Sequence, residues 1–239
     1  MRFTDLSRFQ ESLNAGFDAA GPGEMLWSKF WPDTRGGFSL TDEIYIQPTD
    51  VSSPGDARYP VVIYISSGNA FGDRHPTTVL CMKYLAGILK KSSPEKRKEL
   101  RLLDAGTGTG ILSILAAKLG VMHIDAIDLN MPAIESAAEN IELNRCGWIS
   151  LTQCDLSRHN PRKGYDIICA NIISEVIIQN LDRIKALMNP GGILIASGVG
   201  NSWHDDVMRG FACRLLELLD HAVLDGWHGY MLKKHAEKI

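Results

Sequence analysis

The sequence LLDAGTGTG, residues 102–110, places Asp104 two positions before three glycines at alternate positions, between two apolar runs. Residues 100–104 (LRLLD) predict a buried strand, and residues 110–120 (GILSILAAKLG) predict an amphipathic helix that ends at Gly120. The glycine-rich segment is therefore predicted to turn from a strand into a helix. Glycines at such a turn let a ligand approach the backbone closely.

Strands and helices alternate from residue 100 to the C-terminus. The predicted strands are 100–104, 123–128, 149–155, 165–172 and 191–199, and the predicted helices are 110–120, 131–145, 174–188 and 203–219. Two closing runs, 221–226 and 227–234, predict an antiparallel hairpin. Alternating strands and helices are typical of a parallel sheet with helices on both faces. The predicted fold class is α/β: a doubly wound, mostly parallel, seven-stranded sheet with a terminal antiparallel hairpin.

The segment before residue 100 is less regular. Strands 43–48 (EIYIQP) and 60–66 (PVVIYIS) are predicted to pair as a hairpin, followed by a helix over 76–91 and a solvated connector over 92–99. Residues 1–35, with an aromatic cluster of Trp27, Phe30 and Trp31, are predicted to form an N-terminal extension. The predicted domain then covers residues 36–239, including the hairpin and helix of 36–91.

Composition narrows the function classes. The chain has 239 residues, 25 basic and 28 acidic, and its net charge of −3 disfavours a nucleic-acid partner because no basic field is present. Five scattered cysteines predict reduced, buried thiols, and no metal site is predicted because no ligand spacing is found. The sequence shows neither a secretory signal nor an apolar run of about 18 residues, so we expect a cytoplasmic protein without a membrane partner.

The residues around the glycines separate the rival ligands. A triphosphate-binding loop needs Lys and Ser or Thr after its last glycine, where Ile111 and Leu112 stand here, and the spacing disfavours the dinucleotide pattern GxGxxG. The carboxylate of Asp104 would repel a pyrophosphate and attract a cationic amino-acid ligand. S-adenosyl-L-methionine has an ammonium and a sulfonium but no phosphate. The sequence therefore favours S-adenosyl-L-methionine as the cofactor.

Polar residues close three further strands. Asp128 ends the second strand, where it can accept hydrogen bonds from ribose hydroxyls, although the same placement also serves NAD. Asp155 ends the third strand, either within reach of an adenine amino group or as the cap of a turn. Asn171 closes the fourth strand, and its amide can hold both the cofactor and an incoming nucleophile because it donates and accepts.

Several segments together resemble a known family. NAFGDRHPTTVLCMKYL, LLDAGTGTGILSILAAKLG, AIDLNMPAIESAAENIELN, DIICANIISEVIIQNL, GGILIASGV and GWHGYMLKK are similar to the catalytic domain of the ribosomal protein L11 lysine methyltransferases, over residues 36 to 239. The resemblance implies the class I S-adenosylmethionine-dependent methyltransferase fold. It also implies that Thr78, Gly106, Asp128 and Asn171 contact the cofactor, in addition to Asp104, Gly108 and Asp155. His75 is predicted to be a cap rather than a general base.

The resemblance implies transfer of a methyl group to an amine nitrogen of a protein lysine or N-terminus, with a ribosomal protein as a possible partner and Asn171 as the catalytic residue.

Two departures from the family's sequence pattern leave alternative functions open. The segment FGDRHPTT is one residue shorter than the family's FGTGTHPTT, and 35 residues are too few for the family's separate recognition domain. A small-molecule methyltransferase or a non-catalytic cofactor-binding module is therefore an alternative. A base-modifying enzyme is disfavoured because Ile172 and Ile173 follow Asn171.

Overall fold

The computed structural model of the protein describes residues 36–49, 58–66 and 74–235. The strands are β1 (Phe38–Thr41), β2 (Ile44–Pro48), β3 (Val61–Ile65), β4 (Arg101–Ala105), β5 (His123–Asp128), β6 (Ser150–Gln153), β7 (Tyr165–Asn171), β8 (Met188–Gly200), β9 (Leu216–Leu224) and β10 (Trp227–Lys234). The helices are α1 (Pro76–Lys90), α2 (Pro94–Glu99), α3 (Ile111–Lys118), α4 (Met131–Leu143), α5 (Ser174–Leu187) and α6 (His204–Cys213). The predictions for residues 1–35 lie outside the described residues.

Seven strands form the main sheet, in the order β6-β5-β4-β7-β8-β10-β9. The pairs from β6 to β8 are parallel, and β10 is antiparallel to both β8 and β9. The predicted fold class and terminal hairpin are confirmed. Because β4, β5 and β7 are neighbours that run the same way, their carboxyl ends meet at one edge of the sheet. That edge is where ligands bind in open α/β sheets.

Side chains alternate between the two faces of this sheet, as the pleat requires. One face packs against α5 and α6 in a core of buried apolar residues that includes Ile168, Leu194, Leu181 and Phe211. The other face packs against α1 and α3. With helices on both faces, the central strands are buried throughout, which explains their near-continuous apolar sequences.

The predicted hairpin of residues 43–48 and 60–66 is wrong. β2 pairs with β3 in parallel, and its antiparallel partner is β1, a strand that the periodicity did not indicate. The four residues of β1 are too short to show a pattern, and the turn-rich segment after β2 looked like a hairpin loop. Parallel pairing excludes a tight hairpin turn between β2 and β3, because parallel neighbours need a crossover connection.

Asn140, in α4, and Asn144, the residue at the C-cap of this helix, bind the free edge of β3. Asn144 Oδ1 accepts from the backbone N–H of Tyr64 (3.0 Å) and its amide group donates to the Tyr64 carbonyl. Asn140 does the same for Ser66, with distances of 2.8 and 3.0 Å. Asn140 also donates to the Thr109 carbonyl at 2.9 Å, which ties the glycine-rich turn to the small sheet. The spacing of four residues places both amides on one side of the helix.

We expect Asn140→Ala to lower the free energy of unfolding by about 2–4 kcal/mol, because a buried backbone group left unpaired costs about 1–3 kcal/mol. The Asn140 side chain is completely buried, so water cannot replace its bonds. Urea unfolding followed by circular dichroism measures the change. Glu139→Ala, at an exposed neighbouring position, is the matched control and should change stability by less than about 0.5 kcal/mol. Equal values for the two variants would contradict the assignment.

Three smaller predictions need correction. The connector over 92–99 contains the short helix α2, which begins after a cap by Ser93 Oγ. The helix predicted over 203–219 ends at Cys213, because Leu215 takes a left-handed conformation (φ 55°) and β9 begins at the next residue. All five cysteines are free, as predicted, but Cys213 is exposed and Cys154 is half-buried.

Candidate active site

The glycine-rich turn takes the backbone conformation that its sequence predicts. Gly106 has φ +75° and Gly108 has φ +55°, in the left-handed region that favours glycine. The N–H groups of Gly106 and Thr107 both donate to the carbonyl of Ile127 at 2.9 Å. The end of β5 therefore holds the start of the turn in place.

Asp104 lies beneath this turn and is not exposed to solvent. Its side chain is completely buried, and Oδ2 accepts three hydrogen bonds, from Thr107 Oγ1 (2.8 Å), Ser113 Oγ (2.7 Å) and the Ser113 N–H (3.2 Å). Burial raises the pKa of Asp104, and the bonds from Ser113 and Thr107 oppose that rise. Three donors on one oxygen favour the carboxylate form. Asp104 thus joins the turn to the start of α3.

Asp128 lies at the mouth of the turn. Its Oδ2 accepts from the N–H of Gly108 at 3.1 Å, and its Oδ1 accepts from the N–H of Asn130 at 3.0 Å. The side chain is half-buried and lines a cavity together with Gly106 and Gly108. One carboxylate thus orders the loops after both β4 and β5 and still faces the cavity.

Asp155 caps a turn, which is one of the two roles that its sequence left open, and contact with the adenine amino group stays a prediction. Its Oδ1 accepts from the N–H of Ser157 at 2.8 Å, which caps the turn after β6. Hydrogen bonds from Ser157 lower the pKa of Asp155, so the side chain is ionised at neutral pH. The residue also lines the same cavity as Asp128.

Asn171 and Thr78 meet across the cavity edge. Asn171 Nδ2 donates to Thr78 Oγ1 at 3.1 Å, which fixes the orientation of the amide. The other amide atom, Asn171 Oδ1, is buried and has no hydrogen-bond partner among the described residues. An unsatisfied buried acceptor of this kind is expected where a ligand supplies the donor.

His75 caps the N-terminus of α1, as predicted. Its Nδ1 accepts from the N–H of Thr77, and the ring packs edge-on against Trp227 with centroids 4.9 Å apart. Burial lowers the pKa of His75. The cap positions the first turn of α1, which includes Thr78.

The cavity between these residues has a volume of about 690 Å³, within the usual range of small-molecule sites. Its charged lining residues, among those the structure describes, are Asp128 and Asp155, and no Lys, Arg or His side chain lines it. Its apolar lining is Ile127, Leu129, Pro132, Ala133, Leu156, Ile172, Ile173, Val176 and Trp227. The cavity therefore suits a ligand with positive charge and an apolar or aromatic part, and it offers no cation to a phosphate.

Sequence reasoning missed the residues that shape the floor of the cavity. Ile172 lies between Gly106 and Gly198: a Cβ on Gly106 would lie 2.3 Å from Ile172 Cγ2, and one on Gly198 would lie 2.0 Å from the Ile172 carbonyl oxygen. Gly106 follows β4 and Gly198 lies in β8, so only the fold brings them together. The glycine in the segment ASGVG was the available signal for Gly198.

We expect Gly106→Ala to destabilise the fold by about 2–5 kcal/mol, because it combines a left-handed backbone with a clash against Ile172. Gly191→Ala is the matched control, since Gly191 has nearly the same φ (+76°) but nothing within 4 Å of its Cβ position. The control should cost about 1–2 kcal/mol. Thermal unfolding of both variants measures the difference, and similar losses would show that Ile172 does not restrict this position.

Comparison with known proteins decides the family. The family model of the ribosomal protein L11 methyltransferases (PrmA) matches residues 14–235, more than nine-tenths of the chain. The chain belongs to the ribosomal protein L11 methyltransferase family. The match to the family model begins at residue 14, whereas the sequence resemblance described above covers residues 36 to 239.

Curated ribosomal protein L11 methyltransferases are similar over most of this chain. The protein from Trichlorobacter lovleyi is 35% identical over 205 residues, which are 83% of this chain and 66% of that protein. The protein from Listeria innocua is 37% identical over 175 residues, 72% of this chain and 53% of that protein. The chain thus matches between about half and two-thirds of the length of these family members.

Solved structures show the same fold. The ribosomal protein L11 methylase of Lactobacillus delbrueckii subsp. bulgaricus has a TM-score of 0.74 and 26% identity, and the match covers 84% of this chain and all of that one. The N-methyltransferase NodS of Bradyrhizobium japonicum, in complex with S-adenosyl-l-homocysteine, has a TM-score of 0.54 and 14% identity over 68% of this chain, which shows the fold alone. Among the described residues, no helix is long and apolar enough to span a membrane.

Proposed function

We propose that this chain is an S-adenosyl-L-methionine-dependent methyltransferase that methylates an amine nitrogen of a protein. The observation that carries the proposal is the charge of the cavity: within residues 36–49, 58–66 and 74–235, two carboxylates, Asp128 and Asp155, line it and no basic residue does. Such a cavity attracts the ammonium and sulfonium of S-adenosyl-L-methionine and repels pyrophosphates. Membership of the ribosomal protein L11 methyltransferase family supports the same cofactor.

The residues present fit this cofactor. The Asp128 carboxylate lines the cavity, where it can accept from ribose hydroxyls, and Asp155 can accept from the adenine amino group. Gly106 and Gly108 keep the turn free of side chains, so that the cofactor can lie against the backbone. Asp104 holds the turn from below through Thr107 and Ser113, so the backbone that would contact the cofactor is fixed in advance. Thr78 and Asn171 close the opposite edge.

The chemistry then depends on how the protein holds the acceptor amine. The cofactor supplies an already activated methyl group on its sulfonium, so positioning is the main task of the protein. A lysine amine with an ordinary pKa of about 10.4 must lose a proton before it can attack. Contact with Ile172, Ile173 and Trp227 removes water from the amine, which lowers its pKa. Asn171 Oδ1, with Nδ2 already bound to Thr78, is the acceptor that orients the neutral amine.

Family membership makes ribosomal protein L11 the first acceptor to test. The purified chain is incubated with methyl-labelled S-adenosyl-L-methionine and either ribosomal protein L11 or a small-metabolite fraction. We expect label in the protein, on lysine or the N-terminal amine, located by mass spectrometry of its peptides. Label only in the metabolite fraction would support a small-molecule methyltransferase instead. Cofactor binding without label in either fraction would support a non-catalytic module.

A further inference from the structure

Three histidines gather on the C-terminal hairpin, outside the candidate active site. His221 belongs to β9, His228 to β10, and His204 is the first residue of α6. One side-chain nitrogen from each ring lies within 4.8 Å of the other two. The sequence predicted no metal site because the three residues are 17 and 7 positions apart and match no ligand motif. Their meeting depends on the hairpin register, which places His221 opposite Tyr230.

The three rings lie close together and are stacked nearly parallel. His221 Nε2 and His228 Nδ1 are 2.8 Å apart, and the two ring planes differ by only 14°. The His204 ring lies 4.4 Å from His228 and 5.0 Å from His221, measured between centroids. Tetrahedral zinc, with Zn–N bonds of about 2.0–2.1 Å, separates its ligand nitrogens by about 3.4 Å. The nitrogens of His221 and His228, at 2.8 Å, are closer than that spacing, and all three nitrogens lie within 4.8 Å, so metal binding requires the stacked rings to rotate.

Asn201 sets the tautomer of the His228 ring. Asn201 Oδ1 accepts from His228 Nε2 at 2.8 Å, so the lone pair is on His228 Nδ1, which accepts from His221 Nε2 at 2.8 Å. A bound metal ion would displace the proton from His221 Nε2 to solvent and take both nitrogens as ligands. His228 is buried, whereas His204 and His221 are half-buried, so an ion can enter from their side. Outer partners such as Asn201 commonly orient metal-binding histidines.

We propose that His204, His221 and His228 bind a divalent transition metal ion, with zinc as the ion to test first. Three imidazole nitrogens suit zinc, copper or nickel rather than magnesium or calcium. Water would take the fourth position. The ion would join the start of α6 to both strands of the hairpin, next to Trp227 of the candidate active site. This proposal does not depend on the proposed methyl transfer.

The test is calorimetric titration of the full, metal-free chain with zinc alone. We expect one zinc ion per chain, and a Tm higher by about 5–10 °C when free zinc is 100 times the Kd. Asn201→Ala should weaken zinc binding about 10–100-fold, and His221→Gln or His228→Gln should weaken it at least as much. His123→Gln, at an exposed histidine of β5, and Cys213→Ser, at the exposed thiol of α6, should leave the affinity unchanged.

Absence of one-to-one zinc binding by the wild-type chain would overturn the proposal, and so would unchanged affinity in a folded His221→Gln variant. Where the histidine variants do not fold, the absorption spectrum of cobalt bound to the wild-type chain tests the ligand set instead. A tetrahedral absorption spectrum without a thiolate band supports three imidazoles, because no cysteine is among the proposed ligands. An octahedral spectrum or a thiolate band contradicts the site.

Discussion

Asn171→Ala is expected to lower the rate of methyl transfer about 100-fold while binding of S-adenosyl-L-methionine stays measurable, weakened by no more than about tenfold. The reason is the geometry of the amide: Nδ2 is held by Thr78 Oγ1 at 3.1 Å, and Oδ1 is buried without a partner among the described residues. Alanine removes the oxygen that orients the amine, so the acceptor loses its alignment with the methyl group. Single-turnover rates with ribosomal protein L11, together with calorimetric Kd values, measure both effects.

A matched pair at Thr78 tests whether the orientation of this amide matters. Thr78→Val removes the hydroxyl that accepts from Asn171, and we expect about a tenfold lower rate because the amide can then rotate. Thr78→Ser keeps the hydroxyl and should keep most of the rate. If Asn171→Ala reacts as fast as the wild-type chain, Asn171 has no part in the mechanism. If Thr78→Val and Thr78→Ser give the same rate of methyl transfer, the hydrogen bond from Asn171 to Thr78 does not position the Asn171 amide.

Asp128→Ala is expected to weaken binding of S-adenosyl-L-methionine by about 100-fold or more. A hydrogen bond to a charged group contributes about 1.5–3 kcal/mol, and about 1.4 kcal/mol corresponds to a factor of ten in Kd. The variant loses the proposed acceptors for the ribose hydroxyls. It also loses the bonds that Asp128 accepts from the N–H groups of Gly108 and Asn130, so the turn is less well ordered before the cofactor arrives.

Asp155→Ala provides the comparison for Asp128, because both carboxylates line the same cavity at the ends of neighbouring strands. The Asp155 carboxylate accepts a backbone bond from Ser157, and it has no hydrogen bond to the glycine-rich turn among the described residues. We expect its replacement to weaken binding about tenfold or less. Calorimetry on both variants, with circular dichroism as the control for folding, gives the ratio. An Asp128→Ala affinity within twofold of the wild-type value would remove Asp128 from the site.

The sequence predicted that the residues at the ends of β4, β5, β6 and β7 lie close together, because strand ends in a parallel sheet meet at one edge. Periodicity gave the alternation of strands and helices, and that alternation was enough to bring Gly106, Asp128, Asp155 and Asn171 together. Asp104 was predicted to contact the ligand, and that contact stays a prediction. The structure shows instead its bonds to Thr107 and Ser113, which depend on how the following helix packs.

Features that depend on distant parts of the chain could not be predicted in this way. The parallel pairing of β2 and β3 relies on Asn140 and Asn144, about 75–80 positions away, whose amides bind the edge of β3. The position of Ile172 depends on a glycine after β4 and a glycine of β8, and the histidine cluster depends on the register of β9 against β10. In each case the sequence contains the residues but no local pattern that joins them.

We propose that the cavity lined by Asp128 and Asp155 selects a cationic nucleoside without phosphate. Calorimetric titration of the chain with S-adenosyl-L-methionine, S-adenosyl-L-homocysteine and NAD under identical conditions tests it most directly. We expect one-to-one binding of S-adenosyl-L-methionine and its demethylated product, and no binding of NAD at the same concentrations. Binding of NAD, with no binding of either sulfur compound, would contradict it.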